Sequence, residues 1–296
     1  MTKEAQATTA VLTNRYDATG TAVLNAKKEF IGGSIGANQF KFELAVKDGA
    51  PIESVYAAQG GGAVVFSALN YNQADAGKTF HYTIQEVEKN DTTIVYSDRV
   101  CDVDVTVTDN GNGTLSTSIK YDGETAVPTF TNIWLVDIQI SKELTGNFRN
   151  LNDMFTFTIT LTNADNSPYD MDPADYWMNG NVHNWTNLGN GVFTFQLGHN
   201  EQISFPLRHG TKYTLSEDAQ DYLCKIDGMP ASSVSGTVDA SAGDFGYAFT
   251  NTKNGVVPTA VDNDPMVGIG IALLAGAALA GAACVVALRK RGKHRA

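Results

Sequence analysis

Cysteine is scarce in this chain of 296 residues: Cys101, Cys224 and Cys284 fall in three different segments, so no disulfide within one segment is available. Nor do they show metal-ligand spacing, and neither a metal nor a cofactor is expected. Positive charge is also short. Lys and Arg number 21 against 32 Asp and Glu, a formal net charge of −11. That deficit argues against nucleic acid as a partner, because phosphate binding needs clustered Lys and Arg. The histidines (His81, His183, His199, His209 and His294) are scattered, and no nucleophile–base motif accompanies them, so a turnover enzyme has no support. No apolar stretch follows Met1-Thr2-Lys3-Glu4, so a secretory leader is missing. Before the C-terminal segment the apolar runs are short, rich in Thr, Val, Phe and Tyr, and punctuated by turn residues. That pattern favours an all-β fold.

What the chain does have is an internal repeat. Lys28-Glu29-Phe30-Ile31-Gly32 is matched by Lys142-Glu143-Leu144-Thr145-Gly146. Each leads into an alternating strand, with Phe40, Phe42 and Leu44 in one copy and Phe155, Phe157, Ile159 and Leu161 in the other. Tyr82-Thr83-Ile84-Gln85-Glu86 is matched by Tyr213-Thr214-Leu215-Ser216-Glu217, and Phe130-Thr131-Asn132 by Phe249-Thr250-Asn251. The order is the same in both copies, which predicts two tandem immunoglobulin-like β-sandwiches, residues 18–134 and 135–254, with almost no linker. Residues 1–17 read either as the closing strand of a preceding repeat, with Asn14 its terminal asparagine, or as a disordered leader. The former agrees with a chain truncated at its N-terminus. Cys101–Val107 alternates with period two, and Asp109-Asn110-Gly111-Asn112-Gly113 reads as a hairpin turn rather than a calcium loop, since it lacks spaced carboxylates. The acidic stretch with Asp165, Asp170, Asp172 and Asp175 reads as a solvated loop.

Side chains in a strand alternate faces. Lys28 is in phase with Leu24, Ala26 and Phe30, and Lys142 with Val136, Ile138, Ile140 and Leu144. Glu86 follows Phe80, Tyr82 and Ile84, Glu217 follows Tyr213 and Leu215, and Asn132 and Asn251 follow Phe130 and Phe249. Each domain therefore aims one Lys, one Glu and one Asn at its core. Burial disfavours charge, so the lysine tends toward the neutral amine, a nucleophile, and the glutamate toward the acid. An acid beside the asparagine can polarise its carbonyl and carry protons as ammonia leaves. The product would be an amide from Lys Nζ to Asn Cγ. The alternative is a buried Lys–Glu ion pair with Asn as a hydrogen-bond partner, an arrangement that rarely repays its desolvation.

These motifs resemble the isopeptide-linkage domains of streptococcal-type backbone pilins, related to the B-type domains of collagen adhesins. The resemblance implies that Lys28 and Asn132, and Lys142 and Asn251, are cross-linked, with Glu86 and Glu217 catalytic.

The C-terminal end carries a different signal. Residues 267–288 are uncharged and long enough to span a bilayer as a helix, and 289–296 form a basic tail. The positive-inside rule places that tail in the cytoplasm and the preceding chain outside. Residues 255–266 are a linker containing Val256-Val257-Pro258-Thr259-Ala260. Pro-Thr, apolar span and basic cluster in that order resemble the sorting signal of sortase substrates, with Ala260 where the family has Gly. The resemblance implies sortase as a partner, cleavage after Thr259, and transfer to peptidoglycan or a neighbouring pilin subunit. The span would serve as a membrane anchor before sorting; a permanent single-pass anchor is the other reading. The expected function is a wall-anchored surface or pilus structural protein. The alternative is the stalk of an adhesin whose ligand-binding domain lies upstream. If subunits polymerise, an exposed lysine must accept the acyl group, and Lys120 is either that residue or an ordinary surface lysine.

Overall fold

The computed structural model describes residues 15–175 and 177–256. Its described part is all-β, with only three short 3₁₀ turns, and among the described residues no helix is long and apolar enough to cross a membrane. Asn14, the sorting residues Val257, Pro258, Thr259 and Ala260, the span 267–288 and the tail 289–296 lie outside the described residues. Val256 is described and exposed.

Two separate cores define two sandwiches. In the first, a five-stranded sheet has the order Leu115–Tyr121, Val100–Asp109, Thr79–Val87, Lys41–Val46, Pro51–Tyr56. Its apolar face (Phe42, Leu44, Ile84, Val103, Val105) packs against a second layer in which Asn25–Ile31 lies beside the start of the strand Thr129–Thr145. In the second sandwich the five-stranded sheet runs His183–Gly189, Val192–Leu197, Phe155–Thr162, Lys212–Glu217, Ser233–Thr237. Its facing layer pairs Glu201–Arg208, the rest of Thr129–Thr145, Phe245–Thr252 and Leu223–Ile226. The period-two patterns decide which side chains enter each core: Phe155, Phe157, Ile159 and Leu161 are all fully buried while the threonines between them face out.

Thr129–Thr145 replaces a linker. It closes the first sandwich with Phe130 and Asn132, and opens the second with Val136, Ile138, Ile140 and Lys142, without leaving the extended conformation. Each Lys-Glu-x-x-Gly motif ends where its strand must turn. Gly32 and Gly146 have φ of +84° and +94°, and a Cβ at either would collide, with the His209 ring in one case and the Lys253 carbonyl in the other. The hairpin at 109–113 joins Val100–Asp109 to Leu115–Tyr121, and Tyr16 Oη donates to Asp109 Oδ1 and accepts from Gly113 N–H.

On the second sandwich, Asp137 lies beside Asp244, whose Oδ1 accepts the Asp137 N–H. Burial first, and Asp244 second, push the Asp137 carboxyl up from 3.8 to about 6. A carboxyl raised by folding stabilises fully only below its unfolded pKa, and that contribution is lost as pH rises through the folded value. Asp137→Asn is therefore expected to raise the Tm of the second sandwich at pH 7 and to give no gain near pH 4, as read by calorimetry. An equal shift at both pH values would show that Asp137 does not titrate this way.

Candidate functional site

The lysine-bearing and asparagine-bearing strands of each sandwich are neighbours and run parallel. Lys28 lies opposite Phe130, and Asn132 opposite Phe30. In the second sandwich Lys142 lies opposite Phe249, and Asn251 opposite Leu144. The offset between lysine and asparagine is the same in both, so their side chains leave the same face as diagonal neighbours. The glutamate arrives from the opposing sheet, with Glu86 paired to Phe42 and Glu217 to Phe157. Those phenylalanines pack edge-on against Phe130 and Phe249 at centroid distances of 5.2 and 5.0 Å, which ties the two layers together at the site.

The sequence-derived residues therefore meet inside each core. Lys28 Nζ lies 2.8 Å from Glu86 Oε2, and Asn132 Nδ2 donates to Glu86 Oε1 at 2.8 Å. Lys142 Nζ lies 2.6 Å from Glu217 Oε1 without hydrogen-bond alignment, and Asn251 Nδ2 donates to the same oxygen at 3.2 Å. All four lysine and glutamate side chains in these pairs are 0% exposed. Phe40 lies against Lys28 Nζ at 4.8 Å and Phe155 against Lys142 Nζ at 4.4 Å, closing each site to water. Burial drives Lys28 and Lys142 below the ordinary lysine range and Glu86 above the ordinary carboxyl range, against the opposing pull of each pair's own hydrogen bond and charge.

One expectation is redistributed. The carboxyl was expected to polarise the asparagine carbonyl, but in the first site it faces the amide nitrogen. Ser97 N–H donates to Asn132 Oδ1 at 2.8 Å. A backbone N–H can only donate, so it fixes which end of the amide is oxygen. Ser97 N–H can thus polarise the carbonyl while Glu86 takes a proton from Nζ and gives one to the departing nitrogen. Ser97 was not legible beforehand because the group that acts is backbone. Cys224 was also missed: its thiol donates to Glu217 Oε2 at 3.0 Å. Phe40 and Phe155 stood in the repeat, but only as core.

Lys120 lies apart from both trios. It is exposed on the outermost strand of the first five-stranded sheet, opposite Asp104. Of the acidic loop residues, Asp170 pairs with Arg208, and Asp172 accepts from Trp185 Nε1 and Asn187 Nδ2, so both staple the loop to the sandwich.

Fold and site together define a class: β-sandwich domains in which a lysine and an asparagine from neighbouring parallel strands and a glutamate from the facing sheet meet in a dry core. Residues 24–134 match the Spy0128-like isopeptide containing domain (FctA), and residues 136–253 match a domain of unknown function, DUF7601. The match to an isopeptide-containing domain thus covers the first sandwich and not the second. No curated protein matches it. Similar solved structures include the major pilin from Streptococcus pyogenes, at 15% identity over 82% of this chain and 100% of that one, TM-score 0.34. Another is the major pilin protein T-13 of the same species, at 17% identity over 81% and 100%, TM-score 0.35. A third is the pilus-presented adhesin Spy0125 (Cpa), at 21% identity over 53% of this chain, TM-score 0.36; the chain spans only 37% of that adhesin. Likeness at these scores carries no functional argument.

Proposed function

We propose that this chain is a pilus structural protein of a Gram-positive cell surface whose two sandwiches lock themselves by Lys28–Asn132 and Lys142–Asn251 amide bonds. The observation that carries the reading is the same dry trio, in the same register, twice. In each, the neutral lysine Nζ attacks Asn Cγ, the Nζ–Cγ bond forms, the Cγ–Nδ2 bond breaks, and ammonia leaves. The proton lost by Nζ passes through the glutamate carboxyl to the departing nitrogen. Folding supplies the effective concentration of the two reactants. Each site reacts once and does not turn over, so Glu86 and Glu217 assist a self-modification rather than an enzyme cycle.

The rest of the reading follows from sequence. Residues 256–260 present Thr259 to a sortase, the span 267–288 holds the precursor in the membrane, and the Thr259 carboxyl passes to peptidoglycan or to a neighbouring subunit. Lys120, exposed on an outer strand, is the proposed acceptor lysine. The location is the cell wall.

Intact mass tests the central claim. Each bond removes one ammonia, so a chain with both bonds is expected to weigh about 34 Da less than its sequence by this condensation chemistry. Peptide mapping should recover the pairs Lys28–Asn132 and Lys142–Asn251. A mass equal to the sequence mass would overturn the reading and leave two buried ion pairs.

A further inference from the structure

The two trios are wired differently. Glu86 offers one oxygen to each partner, Oε2 to Lys28 and Oε1 to Asn132. Glu217 has Oε2 taken by the Cys224 thiol, so Lys142 and Asn251 both crowd onto Oε1. The cause is a neighbouring strand. In the first sandwich Ile94–Val95 pairs with Trp134 and Ile133 and then leaves the ladder, which turns Ser97 N–H onto Asn132 Oδ1. In the second, Leu223–Ile226 stays in the ladder past the asparagine, with Cys224 directly opposite Asn251 and Lys225 opposite Thr250. Among the described residues no backbone N–H reaches Asn251 Oδ1, which is buried and finds no partner there.

We propose that Cys224 is a positioning residue that restrains cross-linking in the second domain, so that the Lys142–Asn251 bond forms later than the Lys28–Asn132 bond. The proposal rests on reading both trios as cross-linking sites. With Oε2 held by the thiol, the proton that must leave Lys142 Nζ and the one that must reach Asn251 Nδ2 have a single oxygen, Oε1, to pass through, whereas Glu86 offers one oxygen to each partner. The missing donor at Asn251 Oδ1 acts in the same direction, because charge developing on that oxygen meets no dipole. The thiol is neither consumed nor oxidised. Burial first, and then its bond to Glu217, push its pKa up to about 12, so it remains a donor at neutral pH.

The test follows newly made full-length chain. Synthesis in a cell-free system is stopped, samples are quenched in denaturant over time, and the linked fraction at each site is measured by peptide mapping. The Lys28–Asn132 pair on the same molecule serves as the clock. In the wild type, the second pair should lag the first. Cys224→Val fills the space without a donor and should accelerate the second bond roughly three- to tenfold, the net worth of the one hydrogen bond that holds Oε2. Cys224→Ser restores a donor and should restore the lag, which a purely packing role would not do. A Val variant that reacts at the wild-type rate or slower overturns the proposal, as does a wild type in which the bonds form together. If Lys142–Asn251 appears in no variant while Lys28–Asn132 forms, the cross-linking reading of the second domain is what fails.

Discussion

Stretched between residues outside the first sandwich, the wild-type chain will show no unfolding step for that domain, whereas Glu86→Ala will release roughly 100 residues in one event, about 300 Å at ~3.3 Å per residue. Tension enters through Asn25–Ile31 and leaves through Thr129–Thr145, and these strands are parallel neighbours with Lys28 and Asn132 on one face. A covalent bond there bypasses every residue between them. In the proposed reaction Glu86, bonded to both Lys28 Nζ and Asn132 Nδ2, moves the protons, so its loss should leave only backbone hydrogen bonds in shear. Single-molecule force spectroscopy reads the outcome as contour length. A release of that length from wild-type chain would show that the first bond is absent. An unchanged trace for Glu86→Ala would show that the bond forms without the carboxyl.

The second large effect is thermal. Lys28→Met keeps an unbranched side chain of similar volume in the core and removes the nucleophile. The unfolded chain then regains the freedom that a closed loop of about 100 residues had denied it, worth about 5 kcal/mol by loop-closure reasoning. For a domain of this size that is a loss of about 20 °C or more in Tm. Glu86→Ala should fall by a comparable amount, because it loses the same bond and, like Lys28→Met, leaves one member of the buried Lys28–Glu86 pair without the other. Calorimetry should show the first sandwich shifting alone, since the second has its own core. Equal Tm values for wild type and Lys28→Met would refute a covalent contribution.

Much of this was readable from residue order. A lysine in phase with Leu24, Ala26 and Phe30 must face the core, and it does so at 2% exposure, as does Lys142. Repetition turned one odd lysine into a pattern. The parallel register was not readable, because Lys28 and Asn132 are far apart in the chain and alternation alone fixes faces, not partners. Ser97 stayed hidden because a backbone N–H leaves no mark in composition. Cys224 stayed hidden because its proposed role depends on a strand that stays paired past the asparagine, where its counterpart in the first sandwich has already left the ladder, and no local pattern records that. The boundary between domains read as almost no linker, and Thr129–Thr145 runs through it as one strand.

That uninterrupted strand has a topological consequence. With both bonds made, the protein is two covalent rings, 28–132 and 142–251, joined by residues 133–141. A protease that cuts a loop inside either ring opens it without parting the molecule. Only a cut within 133–141 would sever the stretch from Lys28 to Asn251. Those residues are hydrogen-bonded into ladders with Asn25–Ile31, Ile94–Val95, Glu201–Arg208 and Phe245–Thr252, backbone that a protease reaches only after local unfolding. A nicked chain with both bonds made should therefore keep its length, and its nicks should become visible only after denaturation, as branched fragments.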